Sequence, residues 1–473
     1  MISKKLAGVR TRIAPSPTGW LHIGTARAAL FNYLFARRHG GSFVVRIEDT
    51  DLERSDKKFE ADILEGLSWL GIEWDEGPIV DTRNYKGDYG PYRQTERLDS
   101  YEHYLNKLLE QGRVFYCAHT AQELEIEHRA QMETKQALRH ICAHRDASNT
   151  EGIIRFKNTA SGCITFTDCI RGAISFNTEL LGDFSLAKNI RAPLYNFAVV
   201  IDDKEMAITH VLRGEDHIPN TPKQILIQDA LAFERPLYAH LPLILGPDRS
   251  KLSKRHGETS LNAYRHEGYL GQALVNFIAL LGWNPDDERE IFSLDELEKE
   301  FSLEKVQKSG AVFNKEKLQW LNGEYIRRMD RETLAANLYP FLQESFGNIP
   351  QDILHRVAKI EQPRLKTFAD VQALPFLFKD PSYEKELLLW KGIQEPVEAA
   401  THLRAIEKIL CDIKDFEKTL MPYAEQHGKG NVLWPLRVAL SGQAASPGPF
   451  EIMYVIGKEA TLRRVRNAIA LLK

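Results

Sequence analysis

The stretch VRTRIAPSPTGWLHIGTARAALFNYLFARRHGGSFVVRI, residues 9–47, decides the fold. Val9–Ala14 has strand character and is stopped by Pro15-Ser16-Pro17-Thr18-Gly19, because Pro and Gly interrupt regular structure. A helix is predicted over Gly24–Arg38: Ala26, Ala29, Leu30, Tyr33 and Leu34 share one face, and Gly40-Gly41 close it. Ser42–Ile47 is a second strand. Strand, tight turn, helix and strand make a βαβ unit, hence a parallel sheet. Working outward, Phe59, Ile63, Leu67 and Leu70 mark another helix that ends at Gly71.

The texture changes over Leu98–Arg191, which opens with a helix (Leu98, Tyr101, Leu105, Leu108) and holds four of the five cysteines. Short strand-like pieces follow at Gly152–Phe156 and Gly162–Phe166. Strand–helix alternation resumes with Tyr195–Ile201 and Ala207–Leu212, a helix near Lys223–Leu231 and a strand Leu241–Leu245. From about Leu261 the pattern is mainly helical, with a loop at Ser441–Glu451 before a last helix, Gly457–Lys473. The reading is a Rossmann-like parallel-sheet α/β domain interrupted by an inserted α+β domain, then C-terminal helical domains.

The chain has 473 residues, which suggests roughly three to five domains. Hydrophobic residues at 43% and charged residues at 27% exclude a disordered chain, and five cysteines exclude a disulfide scaffold. Leu270–Trp283 is interrupted by Gln272 and Asn276, so no membrane span is expected. Met1–Arg12 has basic residues without an apolar stretch behind them, so no secretory signal is expected and the reducing cytoplasm is the expected home. A net charge of -3 argues against wholesale wrapping of nucleic acid but permits a local basic surface.

Two segments carry phosphate chemistry. Ala14–Thr25 (APSPTGWLHIGT) feeds a strand end through a Pro/Gly turn into a helix N-terminus, whose unpaired N–H groups and positive dipole end suit a phosphate. Gly24 permits close backbone approach, and His22 can donate to a phosphate oxygen. Gly246–Glu258 (GPDRSKLSKRHGE) sets four cations against two acids near the start of a flanked loop, a mobile clamp for triphosphate charge. Taken singly, each has a plain alternative: an exposed histidine in a turn, and a solvated charged loop.

Cys117-Ala118-His119 and Cys142-Ala143-His144 form two C-x-H pairs. Cys117, His119, Cys142 and His144 supply four N/S ligands, enough for a closed tetrahedral zinc site. The stretch Gln122–His140 between them is polar and helical, a poor core that a metal staple would compensate. The same stretch also holds His128 and His140.

His22-Ile23-Gly24-Thr25 and Lys251-Leu252-Ser253-Lys254-Arg255 resemble the HIGH and KMSKS signatures of class I aminoacyl-tRNA synthetases. Thr25 replaces the second histidine and keeps a hydroxyl donor. The resemblance is closest to bacterial-type glutamyl-tRNA synthetases, through RIAPSPTGWLHIG (12–24), VRIEDTD (45–51), PYRQTER (91–97), Leu245–Lys254 and SPGPFEIMYVIGK (446–458). A glutaminyl-tRNA synthetase would read Pro-Glu-Pro-Asn where this chain has Pro15-Ser16-Pro17-Thr18.

The resemblance implies ATP-dependent activation of L-glutamate, with Mg²⁺ on the phosphates, and transfer to tRNA-Glu, with tRNA-Gln as an open second acceptor. It implies catalytic roles for His22, Thr25, Lys251 and Lys254, and ATP contacts from Ala14, Pro15, Pro17, Thr18, Gly19, Gly24 and Ser253 as well. Arg12, Ser16, Glu48, Tyr195 and Arg213 match the glutamate site. The chemistry agrees: two arginines can grip two carboxylates, and Glu48 can hold the ammonium. Which arginine takes which carboxylate stays open. Arg364 falls at an expected anticodon-reading position, and Lys315–Arg328 mixes cations with Trp320 and Tyr325, as RNA contacts do. There the amphipathic alternative puts Leu318 and Leu321 in a core.

The expected domains are 1–97 and 195–250 for the two catalytic halves, 98–194 for an inserted acceptor-end domain with the zinc knuckle, 251–325 for the KMSKS loop and stem-contact helices, and 326–473 for the anticodon-binding region. A monomer is expected. The rival reading is an inactive tRNA-binding paralogue, which should have lost His22, Lys251 or Lys254; all three are present.

Overall fold

The first strand, β1 (Arg10–Ile13), buries Thr11, Arg12 and Ile13 and pairs in parallel with β2 (Ser42–Val45), Arg12 lying opposite Val44. The helix α1 (Ile23–Arg38) connects them. Its apolar stripe is buried as expected, and Phe31 and Phe35 are buried too: helices Gly271–Leu280 and Leu294–Glu300 pack on α1, Phe31 meets Phe301, and Phe35 lies against His210. Asn32, fully buried, donates from Nδ2 to the Ala28 and Leu212 carbonyls, and Thr11 Oγ1 donates to the Asn32 carbonyl, so helix and sheet are tied by side-chain hydrogen bonds. Gly41 is required at the turn: a Cβ there would sit 2.1 Å from the Val9 carbonyl oxygen, which accepts from Ser42 N–H.

This computed structural model describes residues 8–146, 148–253, 255, 259–391, 395–411 and 416–473. It divides into two compact units, one of residues up to 265 with 270–318, the other of 266–269 with 319–473.

In the first unit the second half of the α/β domain brings strands His210–Gly214 and Leu237–Leu241 together in parallel, Arg213 opposite His240. Thr209 N–H donates to the Arg10 carbonyl, and Arg10 N–H to Thr209 Oγ1, which joins the two halves. The strand expected at Leu241–Leu245 is displaced: Leu237–Leu241 carries the ladder, and only Ile244–Leu245 forms a short second piece. Tyr195–Ile201 is the start of a buried helix, Tyr195–Glu205; a short apolar run is ambiguous by periodicity, and packing decides it.

The inserted segment contributes to two sheets. Val114–Cys117, Ile153–Phe156, Ser185–Asn189 and Ala192–Pro193 form an antiparallel sheet over Tyr101, Leu105, Leu108 and Phe197. The hairpin Cys163–Asp168/Gly172–Asn177 instead joins the sheet of His210–Gly214 and Leu237–Leu241, Asp168 lying opposite Tyr238. The polar helix expected across Gln122–His140 ends earlier, spanning Ala121–Glu133 with no buried residue.

The second unit is helical: Arg331–Phe346, Gln351–Glu361, Pro396–Cys411, Phe416–His427, Lys429–Ser441 and Pro449–Leu471. Leu338, Leu403, Leu436, Met453 and Val465 are buried. The last helix is kinked at Gly457 (φ 78°), the residue where the sequence pattern starts the terminal helix. Among the described residues no helix is long and apolar enough to cross a membrane.

Candidate active site

A cavity of about 570 Å³ opens at the carboxyl ends of the parallel strands, where open α/β sheets place ligands. Its lining includes Arg12 and Ala14–Ser16 from the end of β1, His22, Gly24 and Thr25 from the entry to α1, and Glu48 beyond β2. Tyr195, Arg213, Asp216, His217 and Lys251 complete it. Backbone bonds set this convergence: Arg46 N–H donates to Ile13, and Glu48 N–H to Pro15, so the two strand ends stay paired past their ladders.

His22 caps α1. Its Nδ1 accepts from Gly24 N–H at 2.9 Å, which sets Nε2 as the N–H side. Ile23 N–H donates to Thr259 and Leu261 N–H to Leu21, so the chain leaving the cationic loop is laced to this turn. Lys251 Nζ lies 2.9 Å from Asp216 Oδ2. Lys254 lies outside the described residues. Pro17, Thr18, Gly19 and Ser253 are not among the cavity's lining residues. Thr18 N–H closes a tight turn on the Ser16 carbonyl, and Pro17 lines a separate depression with Asp49 and Arg93.

The end of the cavity lined by Arg12 and Glu48 rests on a buried ion network. Arg46, fully buried, contacts Glu48 at 3.1 Å, Asp203 at 2.7 Å and Asp202 at 3.5 Å. Asp203 also accepts from Arg12 Nε and Nη2 at 3.1 and 3.3 Å. Burial would raise the Asp203 pKa, but Arg12 and Arg46 outweigh it and hold it below the ordinary value. Glu48 goes the other way: burial pushes its carboxyl up to about 6 against the pull of Arg46 and Arg12. Tyr195 Oη is 3.0 Å from His217 Nδ1, and Arg213 Nη1 donates toward Tyr195 Oη at 3.5 Å. Burial, then the nearby Arg213 charge, lower His217 to about 4, so its imidazole is neutral near pH 7. Arg27, buried beneath the floor, donates to the Leu281 and Pro242 carbonyls.

Sequence reasoning missed Arg46, Asp202, Asp203, Asp216 and His217. Signals existed for some. Arg46 is two residues before Glu48, hence on its side of an extended segment, and Asp202-Asp203 end the apolar run Phe197–Ile201.

In the inserted segment, Cys117, His119, His140 and Cys142 place their ligand atoms within 4.8 Å of one another. The cluster holds His140 where the sequence reading has His144. The His144 Nδ1 is occupied by the Ala118 N–H at 3.3 Å, and its ring lies against His119. His140 is held by Asp183 N–H on its carbonyl, and its Nδ1 meets Glu127 at 2.5 Å, which leaves Nε2 toward Cys117. A carboxylate behind a ligating imidazole is the usual metal-site support. His144 N–H donates to Cys142 Sγ instead.

In the helical unit, Arg364 Nη2 meets both Glu451 carboxylate oxygens at 2.7 Å, and its Nη1 donates to the Ile360 carbonyl. In helix Lys315–Arg328, Leu318 and Leu321 are buried while Trp320 is 41% exposed.

Residues 8–320 match the family described as tRNA synthetases class I (E and Q), catalytic domain, and residues 333–469 match an anticodon binding domain. The fold and the site thus define a class I aminoacyl-tRNA synthetase. The glutamate–tRNA ligase of Carboxydothermus hydrogenoformans is 44% identical over 97% of this chain and 99% of that relative. That of Desulforamulus reducens is 43% identical over 98% and 99%. A solved glutamate tRNA ligase from Elizabethkingia meningosepticum, in complex with its amino acid, superposes with a TM-score of 0.88 at 34% identity over 98% of this chain and 100% of that one. The chain belongs to the glutamate–tRNA ligase family.

Proposed function

We propose that this cavity activates L-glutamate with ATP to glutamyl-adenylate and diphosphate, then transfers glutamate to the 3′-terminal ribose of tRNA-Glu. The observation that carries this reading is the convergence of Arg12, Arg213 and Glu48 with the His22–Thr25 helix entry in one cavity. Two guanidiniums and one carboxylate complement an amino acid with two carboxylates and one ammonium. Glu48 takes the ammonium. The substrate's carboxylate oxygen attacks the α-phosphorus, and the bond to diphosphate breaks. No enzyme nucleophile is needed, so the work is positioning and charge stabilisation by His22, Thr25, Lys251 and Lys254. Ala14, Pro15 and Gly24 present backbone to the nucleotide. Asp216 is the lining carboxylate able to meet Mg²⁺ carried by the phosphates, an ion that would neutralise their charge.

Zinc fits the donor set Cys117, His119, His140 and Cys142: two thiolates and two imidazoles, the cysteines buried. Its part would be to staple a segment whose helix Ala121–Glu133 buries nothing. The helical unit reads the anticodon, with Arg364 among its contacts once Glu451 releases it. The protein works as a cytoplasmic monomer.

The test is ATP-dependent attachment of labelled glutamate to separate tRNA-Glu and tRNA-Gln transcripts, with glutamine as control. Charging of tRNA-Glu alone marks a discriminating ligase, and charging of both a non-discriminating one. Charging of neither would leave the tRNA-binding paralogue as the correct reading.

A further inference from the structure

Arg213 reaches the cavity from the end of strand His210–Gly214, and its guanidinium is held from behind. Its Nε donates to His240 Nε2 at 3.2 Å and its Nη2 to Thr221 Oγ1 at 2.8 Å. His240 is fully buried, and its Nδ1 lies 2.6 Å from Asp168 Oδ2. That pattern assigns the proton to Nδ1 and leaves Nε2 as an acceptor. The opposite tautomer would aim an N–H at the Arg213 N–H. Asp168 is itself locked. It is 2% exposed and accepts from the backbone N–H groups of Ile170 and Arg171 on one oxygen and of His240 on the other.

The chain thus runs carboxylate, imidazole, guanidinium, with every member buried. Its first member comes from the hairpin Cys163–Asp168/Gly172–Asn177, which lies inside the inserted stretch yet pairs with the catalytic strand Leu237–Leu241. Arg171, three residues on, donates from Nε to the His240 carbonyl and pairs with Glu215, whose other oxygen accepts from Leu243 N–H. The hairpin turn therefore grips both the backbone and the ring of His240.

We propose that Asp168 and His240 are positioning residues for the synthetase reaction: Asp168 fixes the His240 tautomer, His240 fixes the aim of the Arg213 side chain, and through it the pair sets the affinity for the glutamate carboxylate. The inserted hairpin is then a part of the amino-acid site. This rests on the reading of Arg213 as a glutamate-binding residue. Arg12 is supported differently, by direct contact with Asp203, so the two arginines have independent supports.

The test compares His240→Gln with His240→Asn, and adds Asp168→Asn, in the full-length protein. Glutamine can place an acceptor near the Nε2 position, whereas asparagine reaches only the Asp168 side. The expected result is a KM for glutamate raised roughly 10- to 100-fold in His240→Asn and Asp168→Asn, as for a substrate grip misplaced by about 1 Å. His240→Gln should recover most of that loss. The KM for ATP and the melting temperature should differ little between the Gln and Asn variants. Equal glutamate KM values for the two would overturn the proposal, as would glutamate and ATP constants rising together. A wild-type enzyme that charges no glutamate would instead refute the reading of the cavity itself, and Arg213→Lys with unchanged glutamate KM would refute the assignment of Arg213.

Discussion

Glu48 offers the sharpest prediction. Its carboxyl is 6% exposed and titrates at about 6 in the folded protein against an ordinary 4.5. That difference corresponds to about 2 kcal/mol favouring the protonated form. The sign follows. The folded state holds this proton to higher pH than the unfolded chain, so the group's contribution to stability is full below about 4.5 and is lost as pH rises to about 6. Binding a substrate ammonium needs the opposite, ionised form. Glutamate kcat/KM should therefore fall as pH drops through about 6, an acid limb belonging to the free enzyme. His217, lowered to about 4, stays neutral in that window and cannot produce the limb. Glu48→Gln removes a charge meant for a buried ion pair, an effect of about 3–5 kcal/mol, or at least a 100-fold loss of kcat/KM at pH 7. The same substitution should leave the melting temperature at pH 7 unchanged or raised. ATP–diphosphate exchange or tRNA charging across pH 5–8, with glutamate varied, measures both effects. A Gln variant that keeps the acid limb, or loses less than tenfold at pH 7, would refute the assignment.

Other outcomes follow from the same structure. Freshly purified protein should contain about one zinc per chain; His140→Ala should lose it and His144→Ala retain it, as read by metal analysis. Lys251→Ala, which removes a cation held 2.9 Å from Asp216, should lower kcat by about 10²-fold or more while changing the glutamate KM little; equal change in both would count against a phosphate role. Gly41→Ala forces a Cβ onto the Val9 carbonyl oxygen and should destabilise the first unit by about 1–3 kcal/mol in denaturant unfolding.

The elements around residues 9–47 could be read directly, because the apolar spacing of α1 and its Gly40-Gly41 stop are local signals that packing then used unchanged. The two segments read as phosphate sites stand out as motifs whose order along the chain is itself informative. The Cys/His cluster was half legible. A repeated C-x-H spacing points to four positions, but the Ala118 N–H occupies the ring nitrogen of His144, while the return of the chain past Asp183 delivers His140. No local pattern encodes that exchange.

By itself, then, the sequence determined the βαβ frame, the helical second unit and the charged residues proposed to meet the substrates. Their periodicities and side-chain chemistry act over a few neighbours. Only the tertiary structure decided how those charges are supported. Asp203 stands 191 residues from Arg12, and Asp168 stands 72 from His240. Burial costs an unpaired ion so much that each site arginine must find its partner across the fold, and such pairings depend on how strands assemble into a sheet.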